Sequence, residues 1–264
     1  MFQKVLASLG SGGAKVDARI IDPAVRPGGT LRGEVLLTGG QVDQQVESLG
    51  VSVLARVETG NTTADLPVQS VHLAGRELIR AGSQITVPFE VQLPWETPIT
   101  SVLGKHLTGM AVGLQTNLDL AGSVVDPQDV DAIPVEPLPA QHRILDAMSR
   151  IGFQFRGANL EKNRLDGVDQ QLPFFQEITF TASPVFAQAF AEVTVTFLAR
   201  PQDVQVVLDV VKKVRVAKGG GLGSRNQSML GSFVVQNATL AQNNWEKQLE
   251  AWFHQVAAPR AIFD

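Results

Sequence analysis

In segment after segment of this chain, apolar residues recur at every second position. That period is its strongest constraint, because side chains alternate across a strand and such a row fits one buried face. Leu49, Val51, Val53, Ala55 and Val57 are interleaved with Ser52, Arg56 and Glu58, as a half-buried antiparallel strand requires. Ile85, Val87, Phe89, Val91 and Leu93 repeat the pattern against Thr86, Glu90 and Gln92. A third row, Met110, Val112, Leu114, Leu118 and Leu120, is interrupted by Thr116. Pro88 stands mid-strand on a polar row, which predicts a free edge or a bulge, since proline cannot donate to a ladder. Further strands are expected at 14–21 and 30–38, separated by the turn Pro27-Gly28-Gly29.

The texture changes after residue 125. Asp126, Asp129, Asp131 and Glu136 are interspersed with Pro127, Pro134, Pro137 and Pro139, a composition that reads as an extended connector. Proline suits the first turn of a helix, and Ile144, Leu145, Met148 and Ile151 form a helical stripe after Pro139. Alternation then returns in Ile178, Phe180 and Ala182, in Val193, Val195, Phe197 and Ala199, and in Val204, Val206, Leu208 and Val210. The run Gly219-Gly220-Gly221-Leu222-Gly223-Ser224 reads as a flexible loop, and 232–236 as a closing strand. The expected fold is mainly β, with two β-sandwich domains and short N-terminal, inter-domain and C-terminal helices. The expected boundaries are a sandwich over 1–127, a Pro/Asp-rich connector over 128–139, and a sandwich with a terminal helix over 140–264.

A chain of 264 residues buries roughly 70–75% of its unfolded surface and folds without staples. Zero cysteines exclude thiol nucleophiles, disulfides and thiolate metal sites, and zero tyrosines remove another general acid. A net charge of −4 provides no broad basic surface for nucleic acid. Residues 1–139 carry 9 basic and 15 acidic side chains, while 140–264 carry 13 and 11. The opening Met1-Phe2-Gln3-Lys4-Val5-Leu6-Ala7-Ser8-Leu9 is too broken for a secretory signal, and no run is long enough to span a bilayer. A soluble cytoplasmic protein is expected.

Chemistry-bearing motifs are sparse. His72, His106, His142 and His254 are scattered, and none opens a His-Glu-x-x-His helix. No Gly-x-Ser-x-Gly elbow occurs. In Lys218-Gly219-Gly220-Gly221-Leu222-Gly223-Ser224-Arg225 the lysine precedes the glycines, the reverse of a phosphate-binding loop. The connector acids lack the Asp-x-Asx-x-Asx-Gly spacing of a calcium loop. These readings call for no catalytic residue, metal or cofactor. Trp245, Leu249, Trp252, Phe253 and Val256 fall at helical spacing, which fits either packing on their own sheet or a partner-binding face. Phe2, Val5, Leu6 and Leu9 form a similar, shorter stripe, too brief for independent membrane insertion.

Several segments together resemble the bacterial sporulation-control protein family, which is arrestin-like. They are a Met1–Gly10 helix followed by Ala14-Lys15-Val16-Asp17, the Pro27-Gly28-Gly29 turn before Leu31-Arg32-Gly33, and Leu93-Pro94-Trp95-Glu96-Thr97-Pro98. Further along come Ile151-Gly152-Phe153-Gln154-Phe155, Leu172-Pro173-Phe174-Phe175-Gln176-Glu177 and Thr196-Phe197-Leu198-Ala199-Arg200. The resemblance spans about four-fifths of the chain; the Lys218–Arg225 run and the terminal tryptophans fall outside it. It implies two arrestin-type sandwiches and a regulatory adaptor role, with no catalytic residues to carry over. Protein partners, self-association among them, are expected, without nucleic acid and with membrane contact at most peripheral. The competing readings are a metal-dependent or carbohydrate-active enzyme using connector acids and a histidine, and a peripheral membrane adaptor using the first helix.

Overall fold

The computed structural model describes residues 13–102, 104–122, 128–218 and 221–258, with backbone alone for 128, 213–218 and 221–228. The helix expected over Met1–Gly10 lies outside the described residues. The chain divides into two compact units, one drawn from Met1–His106 and Met110–Glu136, the other from Leu107–Gly109 and Pro137–Asp264.

The first unit contains β1 (Lys15–Ile20), β2 (Thr30–Thr38), β3 (Gln44–Thr59), β4 (Thr62–Ala74), β5 (Glu77–Ile79), β6 (Gln84–Gln92), β7 (Ser101–Val102), β8 (Lys105–His106), β9 (Val112–Leu120) and β10 (Gln128–Ala132). One sheet runs β1-β2-β6. In the other, β3 is central, flanked by β9 with β10 beyond it and by β4 and β5. The alternating rows account for this arrangement. Leu31, Val35, Leu37, Phe89 and Val91 are buried from one sheet, and Leu49, Val51, Val53, Ala55, Val57, Val112, Leu114 and Leu118 from the other. Each such valine, leucine or phenylalanine side chain stabilises the fold by about 1.5–3 kcal/mol. Pro88 lies on β6, which among the described residues pairs on one side only, with β2, as the proline predicts.

Residues 128–139 differ from the expected connector. Gln128–Ala132 pair antiparallel with β9, Ile133 and Val135 are buried, and Val135 bridges Val25. Pro134, Pro137 and Pro139 all fall after β10, where they cost no ladder bond.

The second unit holds α1 (Pro139–Arg150), β11 (Gln154–Glu161), β12 (Phe175–Thr181), β13 (Phe190–Ala199), β14 (Asp203–Lys218), β15 (Gly221–Gln236), a 3-10 turn (Asn237–Gln242) and α2 (Trp245–Ala257). Its strands lie in the order β11-β12-β13-β14-β15, all antiparallel. At the start of α1, Leu138 N–H donates to Gln141 Oε1 at 2.8 Å, with Pro139 in the first turn. α2 starts where Asn244 Oδ1 accepts from Lys247 N–H at 2.9 Å. Arg143 grips Glu246 through two hydrogen bonds of 2.8 and 3.0 Å, joining α1 to α2.

The glycine run also differs from expectation. Gly221–Ser224 are strand residues, paired with Lys218 to Arg215 across a hairpin, and the closing strand begins well before Ser232. Continuous antiparallel registry with β14 recruits these residues despite glycine's weak strand preference. Gly219 and Gly220 lie outside the described residues.

Candidate functional site

Edges are where a sheet protein can add a strand, and in the first unit they carry features that discourage addition. β6 has Pro88, β4 has Pro67, β1 has Lys15, Asp17 and Arg19, and β10 has Asp129 and Asp131. β15 differs. It pairs with β14 on one side and, among the described residues, no strand pairs with its other side. From Asn226 to Trp245 the chain has no charged side chain and no proline.

The two faces of β15 are unlike. Phe233 stacks on Trp245 with ring centroids 6.0 Å apart, Val235 is fully buried, and a Cβ on Gly231 would stand 2.3 Å from Trp252 Cζ2. This row therefore faces α2. On the alternate row, Leu230 is 65% and Val234 46% exposed, with Ser232 between them also exposed. The result is an edge offering main-chain hydrogen bonds and two apolar side chains on one open face, the arrangement used in strand addition. Periodicity locates such a strand but does not show which edge is free; the absence of charge after Arg225 is the sequence signal that marks this one.

The five aromatic and aliphatic residues of α2 are placed by the structure as follows. Trp245, Leu249, Phe253 and Val256 are buried. Phe253 is completely enclosed, with ring centroids 4.6 Å from Phe153, 5.6 Å from Phe186 and 6.0 Å from Phe190. Trp245 Nε1–H donates to Leu240 O at 3.0 Å, and Lys212 Nζ donates to Val256 O at 2.6 Å. Trp252 is half-buried over Gly231. Four of the five are thus engaged in their own unit, and Trp252 alone keeps some exposure beside β15.

Three of the connector acids and scattered histidines have structural partners, and Asp126 lies outside the described residues. Asp129 Oδ2 accepts from Ala18 N–H at 3.2 Å, Glu136 pairs with Arg26 at 3.2 Å, and His254 meets the Phe186 ring edge-on at 4.9 Å. Among the described residues, no three His, Asp or Glu side chains are placed to hold a metal. His106 and Glu136 instead line an open cleft of about 440 Å³ in the first unit, alongside Pro23, Thr100, Ile133 and Pro134. Thr100 Oγ1 there accepts from Val135 N–H at 2.8 Å, so this lining hydroxyl is already engaged within the fold. No described helix is long and apolar enough to cross a membrane.

Comparison with known proteins gives concordant results. A family model described as SpoOM protein matches residues 2–214. The sporulation-control protein Spo0M of Bacillus subtilis (strain 168) is 29% identical over 223 residues, covering 83% of this chain and 83% of that protein. The crystal structure of Spo0M from Bacillus subtilis superposes with a TM-score of 0.77 at 24% identity, covering 93% of this chain and 99% of that one. The structural likeness establishes the mainly β fold. The family match ends before β15 and α2 begin.

Proposed function

The chain belongs to the SpoOM protein family, and from that premise we propose that it is a non-catalytic cytoplasmic regulatory scaffold of arrestin-like type that acts by binding protein partners. A regulatory role agrees with the sporulation-control description of its Bacillus subtilis relative. The observation that carries the interaction mode is the β15 edge, unpaired among the described residues, uncharged from Asn226 onward and bearing exposed Leu230 and Val234. An extended segment of a partner would continue the sheet there. Alternate side chains of that segment would meet Leu230 and Val234, while its main chain supplies the ladder.

The test is a pull-down from the native organism with the full chain and with Leu230→Lys/Val234→Lys. Both substitutions fall on the exposed row, so the thermal midpoint should stay close to that of the unsubstituted chain. The scaffold reading predicts a specific protein recovered by the parent chain and lost by the variant. Recovery of that protein by both would remove β15 as the docking edge. Recovery of the chain's own copies alone, lost on substitution, would identify self-association through the same edge.

A further inference from the structure

Leu230 and Val234 flank Ser232 symmetrically on the exposed row of β15. Gly231 and Phe233 flank it in the same way on the row that faces α2. This spacing makes the strand complementary to itself. When two copies of β15 run antiparallel about a two-fold axis at Ser232, Leu230 of each falls opposite Val234 of the other, and Met229 opposite Val235. The exposed row then forms two apolar cross-strand pairs, the unit that stabilises an antiparallel sheet. On the α2 row Gly231 falls opposite the second copy's Phe233, so the largest side chain of that row meets the residue with none. The space above Gly231 is already filled by its own Trp252 ring, 2.3 Å from where a Cβ would stand.

We propose that β15 pairs with β15 of a second copy of this chain, joining two molecules through one continuous antiparallel sheet. The proposal rests on the reading of β15 as the docking edge and names its occupant. Charge is what favours a second copy. A two-fold contact presents the same patch from both sides, so a charged residue near the axis meets its own duplicate. Like charges opposite one another destabilise a strand pair. From Asn226 to Trp245 the chain carries no charged side chain, and the described part of β15, Met229–Gln236, lies wholly within that stretch. β10, at the other end of the same sheet, would bring Asp129 and Asp131 against their duplicates in such an arrangement. An unrelated partner strand imposes no such condition, because a charge on β15 could be met by an opposite charge on the partner. The contact is at the small end of specific interfaces, so the association is a concentration-dependent equilibrium.

The experiment is sedimentation equilibrium of the full chain over a concentration series, where a monomer–dimer equilibrium is expected. Leu230→Lys/Val234→Lys sets lysine against lysine at both cross-strand pairs and should weaken dimerisation at least about tenfold. Leu230→Lys/Val234→Glu sets lysine against glutamate at the same two pairs, and should dimerise more tightly than the double-lysine variant. That rescue depends on residue 230 meeting residue 234 of the other copy. The register has a second readout, because the chain contains no cysteine. Directly opposite Cα atoms stand about 4.5–5.5 Å apart, within disulfide reach, so Ser232→Cys should cross-link to its own copy on mild oxidation. Leu230→Cys should not, since its duplicate lies roughly 14 Å away along the paired strands. A parent chain that stays monomeric, a dimer unaffected by the two lysines, or a Leu230→Cys chain that cross-links as readily as Ser232→Cys would each overturn self-pairing. The docking-edge reading fails separately: a different protein captured by the parent and lost by the double-lysine variant would keep the edge while overturning the second copy as its occupant.

Discussion

The indole of Trp95 lies across the backbone of Gly28, so that a Cβ at residue 28 would stand 2.5–2.6 Å from three of its ring carbons. Gly28 holds φ at +73°, its N–H donates to Pro94 O at 3.1 Å, and Leu93 N–H donates to Gly29 O at 2.9 Å. Gln92 Nε2 adds a 2.7 Å bond to Gly28 O. Two motifs more than sixty residues apart in sequence thus form one corner, in which glycine is required both for its conformation and for the ring's approach.

Gly28→Ala is therefore expected to cost about 2–3 kcal/mol, the sum of left-handed backbone strain and a displaced indole. The thermal midpoint would fall by roughly 5–10 °C for a chain of this size. In a Trp95→Ala background the same substitution should cost less, about 1–2 kcal/mol, because the backbone term alone remains. Equal costs in the two backgrounds would mean that the ring contact contributes nothing.

That corner also shows what the sequence could and could not reveal. Period-two rows placed β3, β6 and β9 closely, because in each case a burial pattern repeats over several residues. The motifs at Pro27-Gly28-Gly29 and Leu93–Pro98 were visible as separate signatures, but contact between them is a long-range fact that no local period encodes. Residues 128–132 depart from the expected connector for the converse reason: proline density is an average over a window, whereas ladder pairing depends on which individual positions are proline. The α2 stripe was legible as a helix, yet its division into buried Phe253 and half-exposed Trp252 depends on where Phe153, Phe186 and Phe190 converge.

This division gives a second expectation. Phe253→Ala empties a site bordered by four rings, Trp252 among them, and should cost about 3–5 kcal/mol. Trp252→Ala removes a ring that covers Gly231 on one side and should cost about 1–2 kcal/mol, in proportion to its partial burial. Chemical denaturation of the two variants checks the order; a larger loss for Trp252→Ala would contradict the assignment of Phe253 as the anchor of α2.

Thr116 interrupts the apolar row of β9 and is fully buried opposite Val51. Among the described residues its Oγ1 has no hydrogen-bond partner. A desolvated hydroxyl without a partner opposes folding, so Thr116→Val should be neutral to stabilising by about 1 kcal/mol. A clear loss of stability in equilibrium unfolding would show that the hydroxyl is bonded in solution.

The last expectation concerns acid. Hydrogen bonds from Arg143 hold the Glu246 carboxyl below its ordinary range, assisted by its place in the first turn of α2 and by the charges of Arg143 and Arg150. A carboxyl whose folded pKa is depressed contributes stability that is present above its unfolded value, about 4.3, and is lost as pH falls through the lower folded value. The α1–α2 clasp should therefore be intact at neutral pH and weaken below about pH 4. Glu246→Gln should cost about 1 kcal/mol at pH 7, the scale of a partly exposed bidentate pair. Since the parent carboxyl is itself neutralised in acid, the stability gap between parent and variant should shrink as pH is lowered through that window. Unfolding curves at neutral and acid pH measure both gaps, and a gap independent of pH would assign the loss to packing of the side chain in place of its charge.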